Sequence, residues 1–554
     1  MRLRSFIQDR RGAVAPIFAL AIIPVIGLVG MAVDYSRANS IKAALQASLD
    51  ATALAMARLA PTLTADQLQE KTSAYFTAQF NRPEAKNVSI TTAYTTTDGS
   101  TLTLTASGSV DTTFTRVMGY SSLGVGSSST IKWGNQRLRV ALVLDTTGSM
   151  ASAGKIDAMK TATKNLIDQL KDAATNPGDV YVSIVPFSRA VNAGSGNSTA
   201  DWIDWTGWED EPPYIKTNKP SNWDQIGPGS NCPFSNSNYG FRCMNNPANG
   251  SNNTSNVPSS GTYKGYICPS MDNGNKITAQ ASIHYNGCYD SQPSTTVSTN
   301  TVCSGSGSCT CGSTQNCSCT GSGSHKVCTQ TVTTVGAPYT HAWIKNARST
   351  WNGCVADRGN ATTPHAQNYD QKVVAPTAGT AASYFPAQQY DLCSPEVKGL
   401  SYSWSTMKTL VDGLYPAGST NQPIGLVWGW QSLVGGGPFT MPAKDPAYTY
   451  REVIILLSDG LNTQDRWYGD GSNLATQVDG RMWVTGGAGT CKNIKDTGVT
   501  IYAIQVNTGG DPLSTLLQNC ATDSSRFVML TTANQIVTTF QQIGTQLSQL
   551  RIAK

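Results

Sequence analysis

The feature that most limits what this chain can become is an uncharged stretch from Gly12 to Val33, 22 residues long, preceded by Arg2, Arg4, Arg10 and Arg11 and ended by Asp34. As a helix it is about 33 Å long, enough to cross the hydrocarbon of a bilayer. Flanking arginines stay on the cytoplasmic side, so everything after Asp34 is expected across the membrane. A cleaved signal peptide is the competing reading. The length of the stretch, with Pro16 and Pro24 inside it, favours a retained anchor. The expectation is a cytoplasmic tail at 1–11, a transmembrane helix at 12–33 and an amphipathic helix at 34–60. In the last, Leu45, Leu49, Thr52, Met56 and Leu59 recur at intervals of four and three. That stripe suits packing on the chain's own next domain or on a partner's helix in equal measure, and Pro61 ends it.

An extracytoplasmic setting also explains the cysteines. There are 14, all from Cys232 onward, and an even number in a Ser/Gly/Asn-rich setting reads as disulfides formed outside the cytosol. Zinc is the alternative for Cys303, Cys309, Cys311, Cys317, Cys319 and Cys328. The close pairs there are separated by one residue, against the two to four usual in zinc sites, so disulfides are favoured and their connectivity stays open. Cys491 and Cys520 bracket the last apolar run and are expected to pair, as are Cys354 and Cys393.

Charge narrows the function classes. Forty basic against 35 acidic residues leave a net +5 without basic clusters, which argues against nucleic acid as a partner. The four histidines all fall between His284 and His365, which excludes a His-dependent hydrolase built on the rest of the chain.

After Asp34 the chain divides by pattern. Residues 61–137 alternate Ser/Thr with apolar residues, as in Leu102-Thr103-Leu104-Thr105, and read as a β-rich spacer. Val140–Leu144, Val180–Phe187, Val453–Leu457 and Val499–Val506 read as buried parallel strands, separated by helical patterns. The expected fold class is α/β: a doubly wound, mostly parallel sheet, Rossmann-like, whose parts at 138–190 and 401–554 are interrupted by a Cys/Gly/Ser-rich insertion at 191–400. Such sheets bind ligands at the carboxyl ends of their strands, near the point where strand order reverses.

At the first strand end stands Asp145-Thr146-Thr147-Gly148-Ser149, a carboxylate and two hydroxyls at alternate positions. A helix cap is the bland reading of this turn. Two further loops add oxygens at the same expected face: Gly418-Ser419-Thr420-Asn421, and Ser458-Asp459-Gly460 after the third strand. Oxygen-only side chains suit Mg²⁺, Mn²⁺ or Ca²⁺ over Zn²⁺.

With these residues the chain resembles the von Willebrand factor A (vWA) domain, whose metal-ion-dependent adhesion site has the form D-x-S/T-x-S, then a Thr, then an Asp. Asp145, Thr147, Ser149, Thr420 and Asp459 match it. Separately, Arg11-Gly12-Ala13-Val14-Ala15-Pro16 and the run from Val33-Asp34 to Leu49-Asp50-Ala51 resemble the N-terminal region of TadG-type Tad/Flp pilus-assembly proteins. Trp351-Asn352-Gly353-Cys354-Val355-Ala356-Asp357-Arg358 and Gly425-Leu426-Val427-Trp428-Gly429-Trp430 resemble further stretches of those proteins. Prepilin-type relatives carry a Glu five residues after the cleaved Gly; here that position is Ile17, so the anchor is expected to stay.

The resemblances imply a non-enzymatic protein of the bacterial inner membrane, single-pass, N-terminus cytoplasmic and C-terminal domain periplasmic. Its partners would be other pilus-assembly components, one of them completing the metal shell with an Asp or Glu. Thr147 and Ser149 would bind the ion through their hydroxyls, Asp145 and Asp459 would balance its charge, and Thr420 would engage in one state of its loop. Two other functions are carried beside this one: a surface adhesin or lectin stacking sugars on Trp202, Trp205, Trp208 and Trp223, and a metal-dependent hydrolase. Asp465, Arg466 and Asp470 read as a solvated surface.

Overall fold

A computed structural model describes residues 14–57, 59–96, 100–133, 136–174, 176–235, 243–247, 254–272, 283–305, 308–359, 375–446, 448–484 and 486–552. The N-terminal tail with Arg2, Arg4, Arg10 and Arg11, and also Gly12 and His365, lie outside the described residues. The chain divides into two compact units. The first runs up to Arg137 and takes in Lys444–Tyr450 and the residues from Gln546 on; the second comprises Leu138–Ala443 and Arg451–Thr545.

In the first unit one helix, α1 (Val14–Ala57), runs without a break from the apolar stretch into the amphipathic segment and ends at Ala57, short of the expected residue 60. Among the described residues it is the one helix long and apolar enough to cross a membrane. Its lower part exposes Leu20, Val25, Ile26, Leu28 and Val29. Beyond Asp34 one face closes: Ala38, Ile41, Leu45, Leu49, Ala53 and Met56 are all buried. They pack on an antiparallel sheet of β1 (Ala85–Thr95), β2 (Ser100–Asp111) and β3 (Ser122–Trp133), joined to the helix by α2 (Ala65–Gln79). The stripe thus finds its partner within the chain, and Leu59 falls outside it at the surface. Period two decides the sheet faces: Leu102, Leu104 and Ala106 point inward, and Thr103 reaches Thr130 on the outer face.

The second unit is built on a six-stranded mixed sheet. Its main elements, three of which run a few residues into the first unit, are β4 (Gln136–Asp145), α3 (Lys155–Ala173), β5 (Val180–Phe187), β6 (Gly287–Ser304), β7 (Val327–Lys345), β8 (Lys398–Ser401), α4 (Trp404–Asp412), α5 (Gln422–Val434), β9 (Thr449–Ser458), α6 (Thr490–Asp496), β10 (Thr500–Val506), β11 (Phe527–Leu530) and α7 (Asn534–Ile552). The strand order is β8-β5-β4-β9-β10-β11. The pairs β4/β5, β9/β10 and β10/β11 are parallel, and β8 is antiparallel to β5. The two strands beyond the expected four, β8 and β11, are edge strands of four residues, too short for their pattern to stand out.

Helix α5 is buried on every side, as a helix apolar all round must be. A methyl group on Gly425 would lie 2.6 Å from the Phe187 ring, and one on Gly429 would collide with Val143, so the glycines let the helix lie directly on β4 and β5.

The insertion is part of the second unit's core. Trp202, Trp205, Trp208, Trp351 and Phe385 join Trp428 of α5 in one cluster, with Trp202 and Trp428 rings edge-on at 6.1 Å. Three of the four tryptophans considered for sugar stacking are therefore inside the protein, and Trp223 is half-buried against Tyr289 and His341. The irregularity expected of the insertion is also corrected: β6 and β7 form a long antiparallel ribbon, with Gly287 opposite Lys345 and Ser304 opposite Val327. Much of the ribbon faces water, so its residues need not alternate between apolar and polar.

All 14 cysteines are paired. Cys303–Cys309, Cys311–Cys317 and Cys319–Cys328 close the ribbon's tip. Cys232–Cys243 and Cys268–Cys288 lie in the rest of the insertion. The remaining bridges are Cys354–Cys393 and Cys491–Cys520.

Candidate metal centre

Strand order reverses between β4 and β9, so the loops leaving them diverge and open a crevice at their carboxyl ends. Asp145 ends β4; Asp459 directly follows β9. The turn after β4 is held by Thr146, whose N–H and hydroxyl both donate to the Phe187 carbonyl at 2.9 Å. The Thr147 N–H donates to Asp145 Oδ1 at 2.8 Å, the local bond by which an Asp shapes the turn after it.

From there the side chains connect in series. Thr147 Oγ1 and Ser149 Oγ are 3.0 Å apart. Ser149 Oγ donates to Asp459 Oδ1 at 2.7 Å, across a sequence separation of 310. Ser458 Oγ donates to Asp145 Oδ2 at 2.6 Å and is itself held by Gln422 Nε2 at 2.9 Å. Four of the five expected residues therefore form one oxygen-lined cluster. Burial, and then the facing Asp459 carboxylate, push the Asp145 carboxyl up to about 7.

Thr420 is buried on the adjoining loop, which is drawn to the turn by Gly148 N–H donating to the Gly418 carbonyl at 2.9 Å. Its own bonds go elsewhere: its N–H donates to Thr463 Oγ1 at 2.9 Å, and its carbonyl accepts from the Thr463 and Gln464 N–H groups. It makes no hydrogen bond to the other four residues.

Sequence reasoning missed Lys155. It is the first residue of α3, buried, with Nζ 2.5 Å from Asp459 Oδ2. The available signal was its position. A cation in the first turn of a helix runs against the helix dipole, so a buried lysine there points to an anion beside it. The cluster thus presents two carboxylates, one ammonium and the hydroxyls of Thr147, Ser149 and Ser458. That donor set fits a hard divalent cation.

Beside this cluster lies a second one, and it corrects the reading of Asp465 and Arg466 as solvated surface. Asp465 is fully buried and Arg466 half-buried; Asp470 alone is exposed. Arg481 reaches Asp357 Oδ1 at 3.2 Å and Asp465 Oδ2 at 3.3 Å. Asp357 Oδ2 accepts from Asn421 Nδ2 at 2.8 Å and from the Arg466 N–H at 3.1 Å. Asn421 caps α5 by accepting from the Ile424 N–H. A residue of the insertion therefore fastens the loop that carries Thr420.

Residues 12–58 match the family model described as "Putative Flp pilus-assembly TadE/G-like". No curated protein matches the chain significantly. Among solved structures, the pilus adhesin SpaC from Lactobacillus rhamnosus GG aligns with a TM-score of 0.28 and 10% identity, over 85% of this chain and 36% of that one. The vWF domain of the type V pili tip protein Mfa5 from Porphyromonas gingivalis aligns with a TM-score of 0.28 and 8% identity, over 75% and 96%. The minor pilin PilB from Streptococcus sanguinis gives 0.28 and 9%, over 85% and 80%. The chain spans little more than a third of the length of SpaC. Likenesses at this level carry no functional information; the N-terminal match makes the chain similar, over those residues, to Tad/Flp pilus-assembly proteins.

Proposed function

We propose that this is a non-enzymatic, single-pass inner-membrane protein of a Tad/Flp pilus-assembly system. Helix α1 anchors it with the N-terminus in the cytoplasm. The second unit, a vWA-like doubly wound domain in the periplasm, binds a protein partner through a divalent cation, Mg²⁺ by preference, with Mn²⁺ or Ca²⁺ as substitutes. The observation that carries this reading is the continuous oxygen cluster Asp145–Thr147–Ser149–Asp459, assembled from two loops far apart in sequence. The family match over α1 supports the pilus setting.

Thr147 and Ser149 would hold the ion through their hydroxyls, with Asp145 and Asp459 balancing its charge and Thr420 joining when its loop moves inward. When bound, the ion supplies positive charge and a coordination position for an external carboxylate. The chain's own residues set the need for that carboxylate. Asp145 and Asp459 against Lys155 leave one negative charge, which a divalent ion turns into one positive charge. An Asp or Glu from a partner restores neutrality. Lys155 holds Asp459 in place at other times and limits the repulsion between the two aspartates.

Calorimetric titration of the full chain in detergent with Mg²⁺ tests this. The wild type is expected to bind and to gain thermal stability by linkage, and Asp145→Ala to do neither while keeping its fold. Equal Mg²⁺ responses from both proteins would overturn the reading and return the turn after β4 to a helix cap.

A further inference from the structure

The connection between β2 and β3 sets large apolar residues among its threonines. It reads Thr112-Thr113-Phe114-Thr115-Arg116-Val117-Met118-Gly119-Tyr120-Ser121. Phe114, Val117, Met118 and Tyr120 are all exposed, Val117 by 88%. Loop tips that face water carry polar and turn-forming residues. Four large apolar side chains within seven residues, none of them taken into the core, form a patch that calls for an apolar surrounding.

The structure fixes where this loop sits. Asp34 of α1 is buried, and its carboxylate accepts from the N–H groups of Thr113 at 3.1 Å, Phe114 at 2.9 Å and Thr115 at 2.7 Å, and from Thr115 Oγ1 at 2.5 Å. On the N-terminal side of Asp34 the loop lies against the helix. A methyl on Gly30 would collide with Phe114, and one on Gly27 would lie 2.9 Å from Met118 Cε. Both glycines belong to the uncharged stretch, and Gly27 is about 9 Å along the axis from Val33. At the same level Val25, Ile26, Leu28 and Val29 point outward from the helix. Whatever medium surrounds those side chains meets Val117 and Met118 as well.

The backbone of the loop is prepared for such a medium. A segment in hydrocarbon has to satisfy its polar groups internally. Besides the three N–H groups held by Asp34, Thr112 donates to Ser121 O, Val117 to Phe114 O, Gly119 to Arg116 O and Tyr120 to Thr115 O, all between 3.0 and 3.2 Å.

We propose that Phe114–Tyr120 is a second membrane-inserted element: an apolar loop entering the same leaflet from which α1 emerges, locked to that helix by Asp34. It rests on the reading of α1 as a membrane span. A depth of about 9 Å matches the ~5–10 Å reached by interfacial anchors. Arg116, exposed within the loop, has the length to carry its charge back to the headgroups, and Tyr120 suits the interface.

The test uses the full chain in phosphatidylethanolamine/phosphatidylglycerol vesicles. Single added cysteines at Val117→Cys, Met118→Cys, Val25→Cys and Ser128→Cys are labelled with an environment-sensitive fluorophore without reductant, since the native cysteines are all in disulfides. Quenching is read with lipids carrying a nitroxide near the carbonyl end of the acyl chain and with aqueous iodide. Probes at 117, 118 and 25 are expected to be quenched severalfold more by the lipid than by iodide, and the probe at 128 by iodide alone. Lipid quenching at 25 with iodide quenching at 117 and 118 overturns the loop insertion and leaves the span intact. Iodide quenching at 25 overturns the span itself, and the proposal with it.

Discussion

Two pairs of buried aspartates sit at the strand ends of the central sheet and on the loops beyond them, and the protein balances them differently. Asp357 and Asp465 are bridged by the Arg481 guanidinium, with Arg189 and Arg466 within electrostatic reach. Asp145 and Asp459 share hydroxyls and one lysine. In the first pair the planar donor fork takes the places a ligand would occupy. In the second, negative charge exceeds positive and the remaining donors are rotatable hydroxyls. Incomplete compensation, more than burial of charge itself, separates a site from a structural clasp.

The largest test of that contrast is Arg481→Ala. It leaves Asp357 and Asp465 buried without their bridge, and a loss of about 3–5 kcal/mol is expected in thermal or denaturant unfolding, the same with and without Mg²⁺. A loss below about 1 kcal/mol would mean the clasp is not an ion pair. Next comes Lys155→Met. Removing the ammonium that competes for Asp459 is expected to raise Mg²⁺ affinity about tenfold, equivalent to ~1.4 kcal/mol, by calorimetry. Unchanged affinity would show that Lys155 and the ion do not share Asp459. A smaller effect distinguishes the pairs by sign. Without metal, Asp145→Asn is expected to stabilise by about 1 kcal/mol, because a repulsive buried charge is removed, whereas Asp357→Asn destabilises. Equal signs would break the comparison.

The smallest effect is on pH dependence. Asp145 ionises near 7 in the folded protein and near 4 when unfolded, so the folded state holds a proton the unfolded state has lost. The stability this gives is present below about pH 4 and is lost as pH rises towards 7. Burial and Asp357 push Asp465 in the same direction, opposed by the Trp467 and Tyr468 N–H groups and by Arg189. In metal-free buffer Tm should therefore decline over this range, and less steeply in Asp145→Asn. Equal slopes would show that Asp145 is already ionised at neutral pH.

Much of the candidate site was legible because its signals are local. Asp145, Thr147 and Ser149 stand within five residues at the end of an apolar run, and Asp459 follows another. What stayed hidden depends on tertiary placement. Lys155 offers only its place in the first turn of a helix, and its partner is set when the chain brings Asp459 beside it. Asp357 stands in an insertion without visible pattern, and only folding sets it against Asn421 and Arg481. The buried strands of the main sheet are readable because both faces are apolar, whereas the ribbon of β6 and β7 stands largely in water and leaves no alternation to read.

The unbroken course of α1 has a mechanical consequence. From Val33 to Ala57 the helix continues for about 36 Å with its inner face packed on the sheet of β2 and β3. No flexible joint separates the apolar stretch from that sheet. Any rotation or tilt imposed on the one is carried to the other as a lever carries it, and a load pulling on the sheet reaches the anchor along the helix axis rather than through a slack tether.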